Sequence, residues 1–73
     1  MDKLLKQINI VRVNNDLEEI KSINLEDNLM KDLGFNSLDL AELTVRCEAE
    51  FDIDIFEDGI VTTIGEILEK LNE

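Results

Sequence analysis

Leu33-Gly34-Phe35-Asn36-Ser37-Leu38-Asp39-Leu40 is the stretch whose reading decides the fold, because in it a tight turn opens into an amphipathic helix. Gly34 can take the positive φ that a sharp entry needs. Asn36 is a preferred N-cap, and Asp39, three residues on, supplies the returning half of something close to a capping box. Ser37 then becomes the first helical residue. The first-turn N–H groups and the positive end of the helix dipole make this a favourable place for a phosphate joined through the serine oxygen. Downstream to Phe51 the apolar residues Leu40, Leu43, Cys47 and Phe51 recur at i, i+3, i+7 and i+11, with Leu38, Ala41 and Val45 beside them. That stripe is expected to face a core. Asp39, Glu42 and Glu48 are expected on the opposite side, an acidic face that begins at the serine.

Upstream, Leu4, Leu5, Ile8 and Val11 fall on one helical face after Asp2, although Ile8 to Val13 also has some strand alternation. The spacing predicts a helix stopped by Asn14-Asn15-Asp16. Residues 16–36 mix turn-forming Asn, Asp and Ser with isolated apolar anchors, namely Leu17, Ile20, Ile23, Leu25, Leu29 and Leu33. A loop this long in a small domain is expected to be packed down by those anchors. Beyond Phe51, residues 55 to about 60 are expected to make a short helical turn ended near Gly59. Thr63-Ile64-Gly65-Glu66 reads as a capping box that opens a last helix with Ile64, Ile67, Leu68 and Leu71 on its inner face. The expectation is an all-α fold, a small four-helix bundle of three main helices and one short one.

The 73 residues leave room for one domain, 1–73, with one modest core and a stability of a few kcal/mol. Cys47 is the only cysteine, so no disulfide is available within the chain. No apolar run approaches the roughly 18 residues of a membrane span, and the N-terminus does not read as a secretory signal. A soluble, monomeric, cytoplasmic protein is expected. The net charge of −11 is unevenly spread. Residues 1–12 carry +2, from Lys3, Lys6 and Arg12 against Asp2. Residues 13–73 carry −13, from Lys21, Lys31, Arg46 and Lys70 against seventeen carboxylates. Such a surface repels nucleic-acid phosphates and anionic lipid headgroups; its expected complement is a basic patch on another protein, while charge taken alone favours the plainer reading that the acids keep the protein soluble.

The chain contains no histidine, so neither a Ser-His nor a Cys-His pair can form, and a serine without a neighbouring base is a poor nucleophile at neutral pH. One cysteine and no histidine also exclude the usual zinc sets. Asp52-Ile53-Asp54-Ile55-Phe56-Glu57-Asp58-Gly59 is acidic, but Phe56 stands where a calcium loop needs an oxygen ligand and the glycine comes late. The spacing of Cys47 from Leu43 and Phe51 places it on the buried face as a small apolar filler. These features fit a substrate of other enzymes better than an enzyme.

Gly34-x-Asn36-Ser37-Leu38, followed by Asp39, Glu42-Leu43, Glu48-x-Glu50-Phe51, Phe51 to Ile55 and Thr62-Thr63-Ile64-Gly65-Glu66, resembles the acyl carrier proteins and the related peptidyl carrier domains over nearly the whole chain. The resemblance implies the same four-helix architecture. It implies a 4'-phosphopantetheine arm on Ser37, transferred from coenzyme A by a phosphopantetheinyl transferase, with cargo held as a thioester. It further implies partner recognition through Asn36, Leu38, Asp39, Glu42, Val45, Glu48 and Ile55, by acyl- or aminoacyl-loading enzymes and by synthases or transferases with basic docking patches. The sequence departs from the family pattern in several places. Asn36 replaces the commonest aspartate, Ala49 sits where an acid is frequent, Arg46 interrupts the acidic helix, Phe56 stands where proline is frequent in fatty-acid carriers, and the segment before Thr62 is short. A carrier in fatty-acid or polyketide-type synthesis is expected first. An aminoacyl or peptidyl carrier loaded by an adenylating enzyme is the alternative, and a non-carrier acidic helical adaptor, in which Ser37 only caps a helix, is the third.

Overall fold

The computed structural model describes residues 2–57, 59 and 61–71. Among them lie three helices: α1 over Asp2–Asn14, α2 over Ser37–Phe51 and α3 over Ile64–Leu71. The helical reading of the N-terminal segment holds, because Leu4, Gln7, Ile8 and Val11 share the i, i+3, i+4, i+7 face that α1 buries. α1 packs against α2, which contributes Leu43 and Cys47 to the centre. α3 adds Ile64, Ile67, Leu68 and Leu71. Leu4, Ile8, Leu29, Leu43, Ile55, Ile64 and Ile67 have no exposed surface. Truncating one of these to alanine costs about 2–5 kcal/mol, comparable to the whole stability of a domain this small.

Three of the four expected helices are present among the described residues, and the segment of the short fourth is described only in part, as a turn. Residues 55–57 form a turn, with the Glu57 N–H donating to the Asp54 carbonyl at 3.2 Å and the Gly59 N–H to the Phe56 carbonyl at 3.2 Å. Asp54 explains the difference: its side chain accepts from the Phe56 N–H at 2.9 Å, an Asx turn that competes with helical hydrogen bonding. Asp58 and Ile60, within the expected short helix, lie outside the described residues.

The loop from residue 16 to residue 36 is packed down by Ile23, Leu29 and Leu33, which are buried, and by Leu17 and Ile20, which are half-buried. Leu25 does not anchor it, since its side chain is 53% exposed. Its carbonyl does, accepting the Gly65 N–H at 2.9 Å, while the Asp27 carbonyl takes the Ile64 N–H at 3.0 Å and the Leu29 N–H donates to the Thr62 carbonyl at 2.9 Å. Asn28 and Thr63 thereby form an isolated antiparallel bridge. The glycine at 65 is a matter of space, because a Cβ there would stand 3.1 Å from the Leu25 oxygen.

Side chains of α1 complete the fastening of the loop. Asn9 pairs with the Ile20 backbone as a neighbouring strand would, Nδ2 donating to the carbonyl at 3.0 Å and Oδ1 accepting from the N–H at 2.8 Å. Arg12 donates to the carbonyls of Glu18 at 2.8 Å and Leu33 at 2.6 Å. The Asn28 Oδ1 accepts from the N–H groups of Met30 and Lys31, both at 2.9 Å, which holds the turn that leads to Leu33.

Candidate functional site

The entry to α2 is built as its residues dictate. Gly34 turns at φ +75°, and Phe35 then inserts into the core with 2% of its surface exposed, its N–H donating to the Leu29 carbonyl at 3.0 Å. Asn36 is extended, at φ −101° and ψ −175°, and caps the helix. Its Oδ1 accepts from the Asp39 N–H and the Asp39 Oδ2 accepts from the Asn36 N–H, both at 2.9 Å, so the capping box is complete. Ser37, the first helical residue, is exposed, and so are Asn36 and Leu38 on either side of it. The hydroxyl therefore stands in solvent on a backbone fixed by two reciprocal hydrogen bonds.

Exposure divides the expected recognition residues. Leu38 is 80% exposed and Val45 67%, Glu48 is exposed, and Glu42 is half-exposed. These four occupy successive turns running away from Ser37. Leu38, Ala41 and Val45 lie beside the buried stripe as exposed residues, and of the stripe the core takes only Leu43 and Cys47 in full, with Leu40 and Phe51 half-buried. Asp39 is corrected, from an outward-facing acid to a buried one with 5% exposure. The reason is local, since its carboxylate must turn back toward Asn36 to close the box. Ile55, expected near the same surface, is fully buried. The left-handed Asp52, at φ 60° and ψ 33°, ends α2 with its N–H on the Glu48 carbonyl at 2.8 Å. The chain then turns back toward the core, where Ile53 and Phe56 pack beside Ile55.

Glu42 is held from two sides. Its Oε2 accepts from the Asn14 Nδ2 at 2.8 Å and from the Arg46 Nε at 3.1 Å. The Asn14 amide, and with it the Arg46 guanidinium, keeps the carboxyl below its ordinary pKa of 4.5, while partial desolvation works against them. Arg46 therefore does more than interrupt the acidic helix; it takes up part of the charge of one of its members. The spacing from Glu42 to Arg46 is the favourable i, i+4 order. Asn14 and Phe35 were not singled out from the sequence. A lone aromatic in a turn has no periodicity, and nothing near Asn14 points across to α2.

Cys47 is buried, and burial pushes its thiol up to about 11. It is a core filler with no exposed sulfur to react. Among the described residues no three His, Cys, Asp or Glu side chains converge to hold a metal ion, and no helix is long and apolar enough to cross a membrane. Asp58, part of the acidic stretch after α2, lies outside the described residues.

Comparison with known proteins gives a consistent result. The family model described as a phosphopantetheine attachment site matches residues 9–71. An acyl carrier protein of Trieres chinensis is 43% identical over 55 residues, covering 73% of this chain and 69% of the relative. One from Amoebophilus asiaticus is 43% identical over 53 residues, covering 70% and 66%. A third, from Wolinella succinogenes, is 30% identical over 69 residues, covering 92% and 87%. No solved structure gives a significant match.

Proposed function

Since the chain belongs to the phosphopantetheine-attachment family, as a carrier of the acyl carrier protein type with a covalently held 4'-phosphopantetheine, we propose that Ser37 is the residue that holds the arm. The carrying observation is the exposed Ser37 at the head of α2, on a turn whose backbone the Asn36–Asp39 box fixes. The residues fit the group: the hydroxyl has open neighbours on both sides, and a phosphate placed there meets the positive end of a 15-residue helix. When bound, the arm supplies a terminal thiol that holds cargo as a thioester. The chain itself does the rest by presentation. The chain has no histidine to take the Ser37 proton during attachment, and a base on the transferase is assigned that role.

Recognition is assigned to the line Leu38, Glu42, Val45 and Glu48, with Asn36 at its head. Leu38 and Val45 offer apolar contact, and the acids steer a basic partner surface. Asp39 and Ile55 serve this face from beneath, one through the cap and the other through the core. Cargo in fatty-acid or polyketide-type synthesis is the reading that the acyl carrier relatives favour over an aminoacyl or peptidyl one.

The test is mass spectrometry after incubation with coenzyme A, magnesium and a broad-specificity phosphopantetheinyl transferase. One added arm, absent in Ser37→Ala, is expected; an arm still present in that variant refutes the assignment. Charging the loaded protein with a malonyl transferase or acyl-carrier synthetase, and failing with amino-acid adenylating enzymes, is the expected pathway result. Glu42→Lys is expected to slow attachment with little change in the thermal midpoint, and unaltered kinetics would remove Glu42 from the docking line.

A further inference from the structure

We propose that Arg12 is a positioning residue for Ser37, a latch on α1 that fixes the approach of the serine turn. The inference rests on the reading of Ser37 as the attachment residue. One half-buried guanidinium holds both limbs of the long loop, Nε on the Glu18 carbonyl at 2.8 Å and Nη1 on the Leu33 carbonyl at 2.6 Å. The Arg12 carbonyl also accepts the Leu17 N–H at 2.9 Å. The chain is thus pinned to the last turn of α1 where it leaves that helix and again where it approaches α2.

The second pin lies beside the one pliable link before the serine. After Leu33 comes Gly34, at φ +75°, and after Gly34 come buried Phe35 and the cap residue Asn36. A glycine explores both signs of φ freely unless its flanks are held. Here Phe35 holds the downstream flank through the core and the Leu29 carbonyl; on the upstream flank Leu33 is buried with its N–H on the Asn28 carbonyl at 3.1 Å, and Arg12 holds its remaining group, the carbonyl that leads into Gly34. With Arg12 removed, the Leu33–Gly34 peptide loses that hold, Gly34 gains freedom, and the Asn36–Asp39 box forms on a less constrained segment. Lysine is a poor replacement, because a single ammonium cannot present the planar fork that spans two carbonyls. Only a fraction of the molecules then present Ser37 correctly, and the apparent affinity for the transferase falls by that fraction.

The experiment uses the full chain, with Arg12→Met, Arg12→Lys and a control, Ile67→Val, that loosens the core at α3 without removing either Arg12 hydrogen bond. Two quantities are read: amide hydrogen exchange across residues 34–39 and across α2, and transfer kinetics against carrier concentration. In Arg12→Met the amides of Phe35 to Asp39 are expected to exchange at least about fivefold faster relative to those of Leu43 to Cys47. KM for the carrier should rise at least about twofold, the reciprocal of the fraction of molecules that still present the turn, with kcat unchanged. Arg12→Lys falls between, and Ile67→Val lowers the thermal midpoint without moving KM. An Arg12→Met protein with wild-type KM and wild-type exchange at the serine turn overturns the proposal. So does a KM rise that Ile67→Val reproduces. Should Arg12→Met fail to fold, the same readouts on Arg12→Lys decide. If the wild-type protein accepts no arm, the Ser37 reading fails, and the exchange data alone decide whether the latch exists.

Discussion

Removing the Asp39 carboxylate should unsettle both the fold and the presentation of Ser37, and the geometry fixes how much. Asp39 is 5% exposed and accepts one charge-assisted hydrogen bond, from the Asn36 N–H at 2.9 Å. Such a bond contributes about 1.5–3 kcal/mol. A carboxylate in the first turn adds about 0.3–1 kcal/mol through the helix dipole. Asn36 is itself exposed, so water can replace part of what its N–H loses, which brings Asp39→Ala to about 1.5–2 kcal/mol. At about 4–8 °C per kcal/mol for a domain of this size, the midpoint should fall by roughly 6–16 °C. Asn36→Ala, which strips the cap from the Asp39 N–H, should cost about 1 kcal/mol. Because the two residues bond each other reciprocally, the double mutant should fall short of the sum by about 0.5–1 kcal/mol. Asp39→Asn keeps the shape without the charge and should cost about half as much as Asp39→Ala. Far-UV circular dichroism is the appropriate probe, since the chain has no Trp or Tyr to follow by fluorescence. Additive single mutants, or an Asp39→Ala cost below about 0.5 kcal/mol, would refute the argument.

Three further outcomes follow from the same structure. Burial raises the Cys47 thiol from its ordinary 9.0 to about 11, so the stability tied to its protonated form is fully present below pH 9 and is lost as pH rises through 11. Wild-type stability should drop by up to about 2–3 kcal/mol more than that of Cys47→Ala across this window, and parallel pH curves would contradict it. Asp52 sits in the left-handed region at the end of α2, so Asp52→Gly should raise stability by about 0.5 kcal/mol and Asp52→Val should lower it by about 1 kcal/mol or more. The reverse order in a denaturant titration would exclude strain at that residue. Salt or magnesium should raise the thermal midpoint by relieving repulsion among the seventeen carboxylates of residues 13–73; a flat or falling midpoint across a salt series would count against this.

What the sequence disclosed and what it hid divide along a physical line. The start of α2 was legible because its signals, Gly34, Asn36 and Asp39, act on partners within three or four residues. The cap of α3 was half legible in the same way. The Glu66 N–H donates to the Thr63 hydroxyl at 3.3 Å as a box requires, but the Glu66 carboxylate takes the hydroxyls of Thr62 and Thr63, at 2.9 and 3.3 Å. The loop was legible in its anchors but not in its fastenings. Asn9 and Arg12 grip backbone groups, which every residue carries alike, so no side-chain pattern marks their partners. One residue of α2 was misjudged: Asp39, expected on the acidic face, turns inward to satisfy a donor, whereas Leu38 and Val45, expected among the recognition residues, do stay in water. The adjacency of Ser37 to that solvent-facing line follows from the positions along one helix, whereas the grip of Asn14 on Glu42 depended on how α1 and α2 come together.

The antiparallel bridge between Asn28 and Thr63 ties the fate of the closing helix to a distant part of the polypeptide. α3 has eight residues, too few to persist unaided in water, and its opening N–H groups rest on the Leu25 and Asp27 carbonyls. During synthesis this helix has to wait for an older segment already laid out to receive it. A protease that nicks the chain between Leu25 and Leu29 would, by the same dependence, unravel the far end of the molecule without touching it.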